Sequence, residues 1–175
     1  MNPSLWPVAG FLFTSAAGTF LHFLFDLTGQ SLPAALVSAV NESIWEHMKL
    51  LYVPMVLFSF AEYRFRGNED PAFWCRKWKS ILLGLVLIPV LYYTYTGILG
   101  VSADWFNVTI FFLAGGAAYW QDAKLSRKAQ LCRISEWMAL VLLLAVFAVF
   151  AVLTFLPPEI PFFRDPVTGT YGYQQ

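Results

Sequence analysis

The sequence predicts an all-α integral membrane bundle of about five transmembrane helices, with a cytoplasmic N-terminus and an external C-terminal tail. Three observations predict it. Of 175 residues, 58 % are hydrophobic and 13 % charged, where a soluble domain has about half and about a quarter. The 17 Phe, 8 Tyr and 7 Trp are more aromatic surface than a soluble chain can hide, whereas lipid faces such rings and membrane interfaces favour Trp and Tyr. The basic residues, finally, crowd into two of the connecting segments.

A helix needs about 20 mostly apolar residues to cross the hydrocarbon core. Five segments offer such a run, at about 5–27, 44–63, 81–99, 105–119 and 137–156, the fourth being short. The first has no basic region and no small-residue cleavage site before Leu5, so it reads as a retained span. Thr28-Gly29-Gln30 ends it, and Ser31 to Val40 is a connector apolar enough to lie in the interface. Pro54 and Pro89 fall inside the second and third spans, where each removes one backbone hydrogen bond and kinks the helix. Arg66-Gly67-Asn68-Glu69-Asp70-Pro71 is a hydrophilic loop, Gly97 and Gly100 close the third span, and Pro157-Pro158 stops the fifth. Residues 1–175 thus form one transmembrane domain with an external tail at 157–175. Helices are the expected spanning element, because no strand-like alternation appears and the bilayer requires backbone groups to be satisfied internally.

Orientation follows Lys and Arg. Arg64, Arg66, Arg76, Lys77 and Lys79 lie between the second and third spans, and Lys124, Arg127, Lys128 and Arg133 between the fourth and fifth. Only Lys49 and Arg164 belong to the other side. The formal net charge is zero and no basic stripe could neutralise a run of phosphates, which argues against nucleic-acid binding. Cys75 and Cys132 fall on the cytoplasmic side without metal-ligand spacing, so no disulfide is expected.

The polar residues of the other side are unusual in kind. His22 and Asp26 close the first span. Asn41, Glu42, Trp45, Glu46, His47 and Lys49 open the second, Asp104 and Asn107 the fourth, and Glu159 and Asp165 follow the fifth. Ionisable residues in spans are costly and carry a functional hypothesis by default. His22 and Asp26 are four apart and share a helix face, as do Glu42, Glu46 and Lys49, whereas His47 points roughly 100° from Glu46. Imidazoles and carboxylates suit zinc or another divalent first-row metal. On that reading His22, Asp26 and His47 are metal ligands, Glu42 and Glu46 supply the catalytic carboxylate, and Asn41, Trp45, Lys49, Asp104 and Asn107 bind substrate. The spacing matches no zincin motif. A structural reading stands beside it. The helix dipole favours Glu42 and Glu46, Asn41 is a natural N-cap, Lys49 pairs with either acid, and His22 pairs with Asp26.

Other features read more plainly. Tyr92, Tyr93, Thr94, Tyr95 and Thr96 after Pro89 read as an interfacial aromatic belt in preference to the lining of a cavity near the outer face. Gly115-Gly116-Ala117-Ala118 is a packing face. Glu62, Asp122 and Glu136 are solvated partners of nearby cations. The tail from Phe162 to Gly172, rich in turn formers, folds back over the outer end.

The segments Asn41–Lys49, Gly18–Asp26 and Pro157–Gly172 together resemble an uncharacterised family of small bacterial multi-pass membrane proteins, a domain of unknown function with an Asn-Glu-x-x-Trp-Glu-His motif. The resemblance implies a bacterial cell-membrane location and a recurring polar motif; it implies no activity. Three classes stay open. A metal-dependent hydrolase acting on a lipid-like substrate needs polar groups on one face only, as here. A small transporter or ion-binding subunit usually binds near the midplane between repeats, which a homodimer would have to supply. The third is a sensor or assembly subunit for an external small-molecule ligand, with structural polar pairs.

Overall fold

Residues 5–67, 70–127 and 132–174 are described by a computed structural model. Asn68 and Glu69 of the expected loop, Lys128 of the basic set and the chain ends lie outside the described residues. Within them the fold is all-helical, without strands: α1 (Leu5–Leu27), α2 (Leu32–Val37), α3 (Ile44–Arg66), α4 (Phe73–Leu99), α5 (Asp104–Leu125) and α6 (Glu136–Phe155). Of these, α1, α4 and α6 are long and apolar enough to cross a membrane.

Small residues set the closest approaches. At Gly18 a Cβ would stand 2.6 Å from the Leu50 carbonyl oxygen, so α1 and α3 meet nearly backbone to backbone. Ala114 and Ala118 are fully buried on α5, where Gly84 of α4 comes close. Leu51 of α3, Ile81 of α4 and Phe150 of α6 fill the core between them. Gly18→Ala is expected to push α1 off α3 and cost about 1–3 kcal/mol, the usual penalty of overpacking. Thermal unfolding in detergent micelles reads the loss.

Two differences from the sequence reading have physical causes. Helix α4 begins at Phe73, well before the apolar run starting at Ile81. Its first turn has no side-chain cap of its own. Instead the Glu136 carboxylate accepts from the Trp74 and Cys75 N–H groups at 2.7 and 3.2 Å, which satisfies orphan donors at a helix start. Glu136 is thus an inter-helix cap rather than a solvated partner. The early start also carries Arg76 and Lys77 into the interior.

There they meet Glu62 of α3 and Asp122 of α5, all four at most 3 % exposed. Lys77 Nζ lies 2.5 Å from Glu62 and 2.8 Å from Asp122. Arg76 pairs with Asp122, reaches Asp70 at 3.0 Å, and lies 3.5 Å from Glu62. Both cations stand over the Phe73 ring, at 5.0 and 5.2 Å from its centroid. Glu62 and Asp122 are therefore not solvated surface charges: they lock α3, α4 and α5 together at the end away from the tail.

The tail folds back on the opposite end. Asp165 Oδ1 accepts from the Val167 N–H and its Oδ2 from the Thr168 hydroxyl, both at 2.8 Å, making a self-contained turn. Arg164 bridges to Tyr171, and Tyr173 N–H donates to the Thr154 carbonyl at 2.8 Å. The Trp45 ring packs against Phe150, Phe162 and Phe163.

Candidate functional site

Ser43 decides the local geometry at the tail end. The sequence reads Ser43-Ile44-Trp45-Glu46, a Ser-x-x-Glu capping signature. Ser43, not Asn41, is the N-cap of α3, and its hydroxyl accepts from the Glu46 N–H at 3.4 Å. Asn41 stands two residues earlier, and its Oδ1 accepts from the Ser43 N–H at 2.9 Å. Glu42 is therefore not on the helix but in the irregular stretch that precedes it.

From this start, His47 lies one turn into α3. Its Nδ1 is 2.9 Å from the Ser43 carbonyl oxygen. A carbonyl only accepts, so Nδ1 carries a proton, and Nε2 faces away from the helix: it donates to a carboxylate when the ring is an imidazolium and presents a lone pair when the ring is neutral. Nε2 lies 3.3 Å from Glu42 Oε2, and His22 Nε2 of α1 lies 3.8 Å from Glu42 Oε1. The two imidazole rings are 5.4 Å apart between centroids. The side chains of His22, Glu42 and His47 are 31 %, 47 % and 32 % exposed, so the group is reachable from outside. The hydrogen bond from His47 holds the Glu42 carboxyl below the usual carboxylate range, against the opposing effect of burial, with the charges of His47 and His22 adding to the lowering.

One donor atom from each residue falls within 4.8 Å of the other two. A tetrahedral zinc with bonds of roughly 2.0–2.1 Å spaces its donors about 3.3–3.4 Å apart. The 3.3 and 3.8 Å separations run to different oxygens of Glu42, so an ion taking one donor from each residue would have to draw the three closer than their present 4.8 Å limit. Asp26 is exposed in the last turn of α1 and outside this trio. Four residues along a helix are a rise of about 6 Å, which sets it one turn beyond His22.

A second group is separate and buried. Glu46 is 1 % and Lys49 0 % exposed. Lys49 Nζ lies 2.6 Å from Glu46 Oε2 and donates to the Ala35 carbonyl at 2.8 Å and the Thr154 hydroxyl at 2.9 Å, which uses all three donors. The Glu46 carboxylate also accepts from Thr154 at 2.9 Å and from the Val40 N–H at 3.0 Å. Glu46 thus turns inward to α6 while His47 turns toward α1. Thr154 gave no sequence signal, being a single hydroxyl in an apolar helix.

The remaining residues are dispersed. Trp45 packs under the tail. Asn107 Oδ1 accepts from the Tyr95 hydroxyl at 2.5 Å and its Nδ2 donates to Ser102 at 3.2 Å, which fixes the α4–α5 turn. Asp104 and Glu159 are exposed. On the other side, burial and the neighbouring Cys75 thiol push the Cys132 thiol up to about 12.

Residues 1–173 match the model of a family of unknown function (DUF6512). No curated protein and no solved structure matches the chain.

Proposed function

Because the chain belongs to the family DUF6512, whose function is unknown, we propose its role from the chemistry of the site: a five-span cell-membrane protein that holds a divalent metal, zinc by donor chemistry, and hydrolyses a lipid-like substrate at the outer face. The observation that carries it is the convergence of His22, Glu42 and His47 from three separate chain segments, half-exposed and within one ion's reach.

The span count rests on burial. Helices α3 and α5 have 23 and 22 residues, about 33–35 Å at roughly 1.5 Å per residue, enough for a hydrocarbon core of about 30 Å. The charges that lower the hydropathy of α3 at Glu46, Lys49 and Glu62 are buried and paired. Outward, α3 and α5 present Leu57, Phe60, Val108 and Leu113, each at least half exposed, as lipid requires. Helix α2, six residues long, lies at the interface. What supports the orientation, with Arg76 and Lys77 set aside as internally neutralised, is that Arg64, Arg66, Lys79, Lys124, Arg127 and Arg133 share the end away from the tail. That end faces the cytoplasm, and the metal site faces outward.

Two imidazoles and one carboxylate are a donor set of catalytic zinc, which leaves a position open for substrate. His22, Glu42 and His47 would hold a cation there, which would polarise an ester or phosphoester oxygen toward attack by water. Phe23 lies edge-on to His22, and Phe23, Leu27, Leu99 and Trp105 are exposed at the same end of the bundle, surroundings that suit an acyl or isoprenoid chain better than a free solute. The transporter alternative has less support, since α3 has no charged residue between Lys49 and Glu62.

Elemental analysis of the purified protein is expected to give one zinc per chain, and His22→Ala with His47→Ala to abolish it along with hydrolysis of a panel of lipid esters and lipid phosphoesters. Affinity is expected to fall on acidification, because protons compete with the metal for the imidazoles. Glu42, held below its usual range, stays anionic while the imidazoles protonate, and its contribution is lost only in stronger acid. Full metal content in the double histidine variant sinks the site; a metal-replete protein inert on every lipid substrate sinks the hydrolase.

A further inference from the structure

We propose that the C-terminal segment is a working part of this metal site: docked on Asn41, it holds Glu42 where both imidazoles can share it with a cation. The inference rests on the metal reading above. Two of the donors ride on helices, His22 on α1 and His47 on α3, and the Ser43 carbonyl fixes the His47 ring at 2.9 Å. Glu42 has no such support: it lies between α2 and α3 and is the most exposed of the three.

Its neighbour supplies the support. Asn41 uses both halves of its amide. Oδ1 accepts from the Ser43 N–H at 2.9 Å, spanning Glu42, while Nδ2 donates to the Gly172 carbonyl of the tail at 3.2 Å. A second tail contact falls on the other flank, where the Trp45 N–H donates to the Phe162 carbonyl at 3.4 Å. The donor is therefore bracketed at positions 41 and 45. Gly172 is in turn a place where only glycine fits. Its φ is +59°, and a Cβ would stand 2.5 Å from the Thr154 carbonyl oxygen, the same carbonyl that receives the Tyr173 N–H. Asn41 is a positioning residue, acting through Glu42, and Gly172 is the far end of the same link. Such coupling is reciprocal: whatever the docked tail adds to zinc affinity, zinc adds to docking of the tail.

The test uses the full chain in detergent micelles, with zinc titrated against a chromogenic chelator and the tail probed by trypsin at the exposed Arg164. Zinc is expected to slow tail cleavage in the unaltered protein. Asn41→Ala and Gly172→Ala are each expected to weaken zinc binding about tenfold to hundredfold, the range for residues that orient a ligand. Far-ultraviolet circular dichroism is expected to show unchanged helix content. Because both changes cut the Asn41–Gly172 link, the double variant is expected to lose less than the sum of the two single losses. Unaltered zinc affinity in both single variants, fully additive losses, or cleavage indifferent to zinc would each overturn the tail's role while leaving the metal reading in place. Failure of the unaltered protein to bind zinc would instead remove that reading, and this proposal with it.

Discussion

Asp122→Ala is expected to destabilise the bundle by about 3–5 kcal/mol, the cost of leaving buried cations without their partner. Asp122 serves Arg76 and Lys77 together, and all three are at most 3 % exposed. Glu62 remains 2.5 Å from Lys77 and Asp70 remains 3.0 Å from Arg76, so each cation keeps one close partner and loses the one they share. The cluster joins three helices, so the loss is expected in global unfolding, followed by denaturant titration in micelles, and not in fraying of one loop. Replacing Lys77 and Glu62 together by Met is expected to cost less than Asp122→Ala, because no charge is stranded between those two. An Asp122→Ala protein as stable as the parent would mean that water reaches the cluster and the cations are not truly desolvated.

The second large effect separates the two polar groups at the tail end. Glu46→Gln is expected to cost about 3–5 kcal/mol while leaving metal content unchanged. Its carboxylate neutralises fully buried Lys49 and holds Thr154 and the Val40 N–H, but its oxygens turn away from the histidines. Lys49→Met is expected to behave alike. The joint replacement of Glu46 and Lys49 by Met is expected to recover only part of the loss, since the Ala35 carbonyl and the Val40 N–H would then lack their side-chain partners. Thermal unfolding and elemental analysis on the same preparations decide the matter. Loss of metal with intact stability in Glu46→Gln would move Glu46 into the metal site and reverse this division.

Within the site, the sequence made the histidines visible because an imidazole in an apolar helix is rare and demands a partner. It also held the angular conflict between Glu46 and His47, since adjacent positions on a helix diverge by roughly 100°. It misplaced Asn41 as a cap because Asn and Ser are nearly equal in that role; the Ser-x-x-Glu spacing was the better signal. It took Glu62, Asp122 and Glu136 for surface charges because the basic stretch around Arg76 reads as loop. In the fold that stretch is helix, its start capped by Glu136 from more than 60 residues away, and its charges lie inside.

What the sequence alone determined is the all-helical, membrane-compatible character of the chain and the sorting of its polar residues to two ends. Both follow from solvent: apolar runs of about 20 residues have few other ways to satisfy their backbones. What tertiary structure decided is which charges face each other. Periodicity fixes neighbours within one helix. Pairings such as His22 with Glu42, Lys77 with Asp122, or Asn41 with Gly172 depend on how separate segments dock, where close packing and the cost of a stranded buried charge leave few arrangements standing.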